Sequence, residues 1–436
     1  MSFNPSAALA YSSLPAPSLF GVEILPFQAN QVTNYTRTIS MGLYMNYGAV
    51  NIQAASFCNF YIVYTHPGLN DTVNVQVYLP STEWNGRMQA IGAAMGEGYG
   101  LLSPGNRNRN LLQNLALTSL NDLAIIGKDI TNKYYGTPPL YSYWTGCSQG
   151  GRQGMMLAHR FPESFDGIAA SAPAINWSRI FVGDLWAHVI MNTMNIYPRM
   201  CEMQAITAAA ITACDANDGL ADGIIADPDS CGFDPTTLFG TTINCTEIGE
   251  NFTISSGAAY LAQTRWNGPR KSDNSSLFFG QKLGTVFSSD DSSAGGSLAL
   301  TTCSSNGTYT NDLDFSQFRA SGEKLLTYHG LADGIIPPNS TTSYYDSVTA
   351  LEPNVHDFYR VFIAPGIAHG FGGPGTFTVD TFDTVRAWVK NGSFPDTMNA
   401  TFPSRTTLKR TICSYPLKQI HDGVGNATAN KGFSYQ

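Results

Sequence analysis

The sequence predicts an α/β fold: a core sheet with helices between its strands, broken once by a long insertion. Three observations carry this. Strand-type and helix-type segments alternate up to about Pro173. From about Ala174 to Ser321 the alternation stops, and the chain becomes rich in Thr, Ser, Asn and Gly, with helical patches only at 181–194 and 203–213. Core-type strands then resume at 324–328 and 358–364. With 436 residues, 43% of them hydrophobic, the chain is long enough for two domains or for one domain carrying an insertion. The expected division is a core made of residues 1–173 and 322–436, with residues 174–321 inserted.

Residues 1–40 show little pattern and are expected to wrap the surface. Residues 57–65 and 73–79 alternate with period two around a His66-Pro-Gly-Leu-Asn-Asp71 turn, which predicts a hairpin. A strand over 84–91 runs into the small-residue loop Gly92-Ala-Ala-Met-Gly-Glu-Gly-Tyr-Gly100. Residues 114–135 are mostly helical, up to the Pro138-Pro139 break. A strand from Tyr141 then enters Gly146-Cys147-Ser148-Gln149-Gly150, and a helix follows from about Gly151 to Arg160. Residues 165–171 are the next buried strand, and a helix is expected at 381–389.

Gly-x-Ser-x-Gly between a strand and a helix is the nucleophile elbow of α/β-hydrolases, in which a strained turn presents a serine hydroxyl. The expected fold is therefore an α/β-hydrolase core with a large inserted lid domain. In that fold the acid and the histidine follow the serine in chain order. Asp333 lies just past the strand 324–328, where a carboxylate can orient an imidazole, and His369 lies on a Gly-rich loop just past the strand 358–364. The other histidines are less well placed. His66 and His159 are topologically wrong, His188 is in the insertion, His421 is in the tail, and His356 precedes a strand. His329 stands too close to Asp333 in sequence to be its partner and is expected to hydrogen-bond at the strand end. Asp314 and Asp357 are the alternative acids, but neither follows a core strand.

Charged residues make up 13% of the chain and the net charge is −8, with no basic run; nucleic acid is not an expected partner. No stretch reaches the roughly 18 apolar residues of a membrane span. Asn-x-Ser/Thr occurs eleven times, at Asn34, Asn70, Asn176, Asn244, Asn251, Asn274, Asn306, Asn339, Asn391, Asn399 and Asn426. With few lysines, that pattern predicts a secreted protein carrying N-linked glycans. Met1-Ser-Phe-Asn-Pro lacks the basic and apolar regions of a signal peptide, so the numbering is expected to start near a mature terminus, with Met1 added for expression. Between Cys214 and Cys231, carboxylates at Asp215, Asp218 and Asp222 alternate with Asp-Gly turns. Such a loop suits a hard cation such as Ca²⁺, stapled by the two cysteines; a pair of solvated turns is the equal alternative.

Several longer motifs carry a resemblance: Trp84-Asn-Gly-Arg, Tyr134-Tyr-Gly, the 141–153 elbow, Phe161-Pro-Glu-Ser-Phe-Asp-Gly-Ile168, the Cys-Asp-Ala-x-Asp-Gly loop, His329-Gly-x-x-Asp333 and Pro365-Gly-x-x-His369. Over residues 55–420 the chain resembles the tannase and feruloyl esterase family. The resemblance implies a secreted hydrolase of aromatic-acid esters whose lid carries structural Ca²⁺. It makes Ser148 the nucleophile, Asp333 the acid and His369 the base. It makes the Gln149 backbone N–H one oxyanion donor and places a second in the Gly92–Met95 loop, for which Ala94 is taken. It implies calcium ligands from the side chains of Asp215, Asp218 and Asp222 and the carbonyls of Leu220 and Ile224. There are departures. The family pairs the cysteine beside its serine with one after its histidine, but here Cys147 faces Gly370 in that pattern. Cys58 and Cys413 also lack their usual partners, Cys201, Cys245 and Cys303 leave their pairing open, and the insertion is short. Gly370 and the short insertion motivate a second expectation, an acyltransferase or a lactone or depside hydrolase acting on a fungal-type metabolite; a third, a non-catalytic binding module on a hydrolase scaffold, is opposed by the complete triad.

Overall fold

The computed structural model describes residues 14–40, 46–92, 101–103, 106–287, 310–402, 405–425 and 431–436. Its first unit is an antiparallel sheet of β1 (Glu23–Ile39), β2 (Val50–Thr65) and β3 (Val73–Pro80). The β2–β3 hairpin falls where alternation predicts it. β1 does not: the segment expected to wrap the surface is a 17-residue strand paired with β2. Its side chains alternate between exposed and half-buried, so no apolar run marks it.

The central sheet consists of β4 (Arg87–Ile91), then β7 (Tyr141–Cys147), β8 (Gly167–Ser171), β11 (Lys324–Gly330) and β12 (Tyr359–Ala364). Between β4 and β7 lie the short β5 (Leu101–Ser103) and β6 (Asn106–Arg107), α1 (Arg109–Gln113), a π turn at Asn114–Thr118, and α2 (Ser119–Tyr135). The five core strands are all parallel and lie side by side in chain order. Parallel strands need a crossover between each pair, and this puts helices over the sheet. Alternate residues therefore enter two different cores. Ile168, Ala170, Leu325, Tyr359 and Val361 pack under α2, α3 (Gln149–Arg160) and the helix that follows β11. Ala169, Leu326, Tyr328, Phe362 and Ala364 face the opposite way, against a C-terminal helix and hairpin.

The insertion leaves after β8. It contains α4 (Trp177–Met194), α5 (Met200–Cys214), a hairpin of β9 (Thr242–Cys245) and β10 (Glu250–Thr253), and α6 (Ser256–Asn267). It has its own small core around Met203, Ile206, Ile254, Leu261 and Phe287. Trp177, Phe181 and Phe278 join it to Ile336 beyond β11. The chain then adds α7 (Ser316–Ser321) before β11, α8 (Pro338–Leu351) after it, and α9 (Thr381–Asn391) after β12. The last elements are the β13 (Thr397–Phe402)–β14 (Arg405–Cys413) hairpin and the short pair β15 (Gln419–His421) and β16 (Phe433–Tyr435). No described helix is long and apolar enough to cross a membrane.

Candidate active site

The carboxyl ends of β7, β11 and β12 share one edge of the parallel sheet, the edge where open α/β sheets place their ligands. Ser148 connects β7 to α3 with φ 62° and ψ −118°. A non-glycine backbone there costs about 1–3 kcal/mol, so its surroundings must hold it. Its N–H donates to the Ser171 carbonyl (3.0 Å), and its own carbonyl accepts from Arg152 N (3.0 Å) and Ala174 N (3.2 Å). The flanking glycines are steric requirements. A Cβ on Gly146 would lie 2.5 Å from the carbonyl carbon of Gly150, and one on Gly150 would lie 2.8 Å from the Gly92 oxygen. The turn closes only because nothing stands at either position.

Asp333 is fully buried and lies on the turn after β11. Its Oδ1 accepts from the backbone N–H groups of Ile335 (2.8 Å) and Ile336 (2.9 Å), and its Oδ2 faces His369 Nδ1 at 2.8 Å. Burial alone would raise this carboxyl; the neighbouring His369 and the hydrogen bonds from His329 and His369 outweigh it and hold the group well below the usual carboxylate range. His369 follows β12, as the sequence predicts, and is partly exposed.

One expectation is corrected here. His329 does partner Asp333, with Nε2 3.1 Å from the same Oδ2. The chain reverses at once after β11, Asp333 N–H bonding to the Gly330 carbonyl (3.3 Å), and this folds the carboxylate back over a histidine four residues earlier. Three of the other histidines have partners elsewhere: His159 meets Tyr344, His356 meets Tyr345, and His66 meets Asp71 and Asp122.

Two buried residues behind the elbow escaped sequence reasoning. Asn46 reaches Thr145 Oγ1 (2.8 Å) and the Gly146 carbonyl (3.2 Å) and accepts from the Ser171 hydroxyl, so it ties β7 to β8 beneath Ser148. It lies about a hundred positions upstream in a segment with no pattern. Arg152 is fully buried and donates from Nε to Gln149 Oε1 (2.9 Å) and from its two terminal nitrogens to the carbonyls of Ala116 (3.0 Å) and Leu115 (2.9 Å) in the π turn. Its place one turn past Ser148 on a helix is the signal that could have found it. Gln149 opens α3 beside Ser148. Ala94 lies outside the described residues.

Gly370, where the resemblance expects cysteine, has φ +66°, a conformation that favours glycine. Cys147 is a free thiol close to Asp333, and burial followed by that negative charge pushes its pKa far up. Cys58 and Cys413 are free as well. Among the described residues two disulfides form, Cys214–Cys231 and Cys201–Cys245, the second pairing two of the three cysteines that sequence left open; Cys303 lies outside the described residues.

In the disulfide-closed loop the Asp215 carboxylate accepts from the N–H groups of Asp222 (3.1 Å), Gly223 (2.8 Å) and Ile224 (3.0 Å). Asp218 accepts from Leu220 N–H (3.0 Å). Asp222 meets Arg410 of β14 through Oδ2, and its Oδ1 is buried with no hydrogen-bond partner among the described residues. Burial, with the charges of Asp222 and Asp215, pushes the Asp218 carboxyl up to about 6. An orphaned carboxylate oxygen among mutually repelling acids fits a hard divalent cation.

A profile described as tannase and feruloyl esterase matches residues 96–265 and 296–435. The chain belongs to the tannase and feruloyl esterase family. A probable feruloyl esterase of Arthroderma benhamiae is 31% identical over 96% of this chain and 92% of its own length. A tannase of Aspergillus oryzae is 26% identical over 94% of this chain and 90% of its own. The tannin acyl hydrolase of Aspergillus niger shares the fold, with a TM-score of 0.82 at 24% identity over 100% of this chain and 95% of that one. The protein is accordingly a carboxylic ester hydrolase on an α/β-hydrolase core.

Proposed function

We propose that the protein hydrolyses esters of phenolic acids, of feruloyl or galloyl type, through a Ser148–His369–Asp333 acyl-enzyme cycle. The observation that carries the mechanism is the 2.8 Å contact of His369 Nδ1 with buried Asp333, on the sheet edge where the strained Ser148 turn stands. With Nδ1–H committed to Asp333, the lone pair of His369 lies on Nε2, which acts as the base. It takes the Ser148 proton as the hydroxyl oxygen bonds to the ester carbonyl carbon. Asp333 keeps its negative charge and stabilises the imidazolium. The Gln149 N–H and a donor from the Gly92–Met95 loop, taken as Ala94, hold the oxyanion; losing one such donor costs about 10²–10³ in rate. His369 then gives its proton to the leaving alcohol or phenol, and water releases the acid by the same route.

In this reading residues 174–321 form a lid over the site. Gln281 of the insertion supports it by donating its amide hydrogen to the Gly334 carbonyl, beside Asp333. Ca²⁺ would sit on Asp215, Asp218 and Asp222 with the carbonyls of Leu220 and Ile224, away from the chemistry, and would supply rigidity to the loop. Secretion with N-linked glycans is supported by two disulfides and by the surface position of sequon residues such as Asn34, Asn70, Asn244 and Asn399. The decisive experiment is turnover of methyl ferulate, methyl gallate and p-nitrophenyl acetate by the wild type and by Ser148→Ala. The expected result is turnover of at least one phenolic ester, reduced at least about 10³-fold in the variant. Turnover of the nitrophenyl ester alone would place the substrate outside phenolic acids; turnover that survives Ser148→Ala would sink the triad.

A further inference from the structure

Asp333 has more partners than a triad needs. Its Oδ1 is filled by two backbone N–H groups, and its Oδ2 is shared by His369 Nδ1 (2.8 Å) and His329 Nε2 (3.1 Å). The protonation of His329 follows from its neighbours. Nε2 faces two acceptors, Asp333 Oδ2 and the Ile336 carbonyl (3.0 Å), and so must carry a hydrogen. Nδ1 faces the Thr341 hydroxyl at 2.8 Å, at the start of α8, a group able to donate to it. His329, Asp333 and Thr341 are all fully buried, so none of these bonds competes with water.

We propose that His329 is a positioning residue for the ester-cleaving reaction, its Nε2–H holding Oδ2 of Asp333 in place and limiting that oxygen's affinity for the His369 proton. The proposal rests on the Ser148–His369–Asp333 reading. An acid in this role must stabilise the imidazolium without accepting its proton. A carboxylate oxygen that receives a second hydrogen bond is a weaker base, so the proton stays on His369 and returns to the leaving group. The fixed second donor also prevents rotation of the carboxylate, which would withdraw Oδ2 from the imidazole. The contact with Thr341 carries this arrangement from β11 into α8, and Ile336 closes it from the Asp333 turn. The titratable groups facing Asp333 are His369, His329 and the Cys147 thiol.

The test compares His329→Leu with His329→Gln, whose amide can still reach Asp333, using hydrolysis of p-nitrophenyl acetate from pH 4 to 9. Each preparation is titrated with a fluorophosphonate, so that rates are expressed per reactive Ser148. In His329→Leu the carboxylate loses a donor and holds the imidazolium more tightly. The acid limb of kcat/KM should move to higher pH by about half to one unit, and kcat should fall about tenfold with KM changed less than about twofold. His329→Gln should restore the limb and most of kcat, which a role in packing alone would not predict. Should the leucine variant fail to fold, His329→Asn, whose amide stops short of Asp333, makes the same comparison against His329→Gln. An acid limb at its wild-type position in a titratable leucine or asparagine variant would overturn the role of His329, as would a glutamine variant no better than either. Turnover retained by Ser148→Ala is a separate outcome: it would remove the triad and this proposal with it.

Discussion

Behind the elbow the Arg152 guanidinium is wholly out of water. Burial lowers its pKa to about 9, so it keeps its charge at neutral pH. It is satisfied by the Leu115 and Ala116 carbonyls and by the Gln149 side chain, and its guanidinium carbon lies 5.7 Å from the Trp177 ring centroid. A buried cation of this kind adds little net stability, but removing it strands its acceptors. Arg152→Met should therefore destabilise by on the order of 3 kcal/mol, read from the urea midpoint, because three buried acceptors lose their donor. Because Gln149 is the residue beside Ser148 whose N–H is assigned to the oxyanion, kcat should fall as well, by about tenfold or more. A variant with wild-type stability and turnover would show that Arg152 holds nothing the site needs.

The element-scale counterpart is the tie between the β2–β3 hairpin and α2. His66 bridges Asp71 (2.6 Å) and Asp122 (3.1 Å), Tyr64 O–H reaches Asp122 (2.9 Å), and Asn114 in the π turn donates to Asp71. Burial would raise the Asp71 carboxyl, yet donors from His66, Asn114 and Thr65 lower it to about 2. A depressed carboxyl contributes stability above its unfolded value of about 3.9 and loses it as pH falls through the folded value. Wild type should thus lose about 2 kcal/mol between pH 4 and pH 2 that Asp71→Asn does not, since the amide cannot titrate. Identical acid-unfolding curves would rule the tie out. Elsewhere the elements divide by how they are buried. The core strands were legible because parallel strands covered on both faces read as apolar runs. β1 and the β13–β14 hairpin were not, because their pattern is mixed or polar. In the elbow, Gly150→Ala should cost at least about tenfold in kcat/KM through the clash at Gly92, measured on the nitrophenyl ester.

Across the whole molecule, what sequence could and could not show follows the same physics. Ser148, Asp333 and His369 were legible because each sits at the end of a recognisable strand. The His329 contact was not, because it depends on a chain reversal that spacing does not encode, and Asn46 reaches the elbow from a distant segment with no periodicity. The aspartate loop was legible as a pattern but not as a site, and the stability of the whole chain is where it can be tested. That loop ends α5, and its Asp222 meets Arg410 in β14, so it joins the insertion to the C-terminal hairpin. An ion bound there stabilises the folded chain by mass action, which the unfolded loop cannot match once its carboxylates are dispersed. EDTA should lower the Tm by several degrees, added Ca²⁺ should restore it, and Asp218→Asn should abolish the response. The shift should shrink from pH 7 to pH 5, because protons compete for the same carboxylates. Initial rates well below the Tm should not change, because the ion is assigned no part in the chemistry. A melting curve indifferent to both EDTA and Ca²⁺, with no metal found by elemental analysis, would leave Arg410 as the cation that answers Asp222.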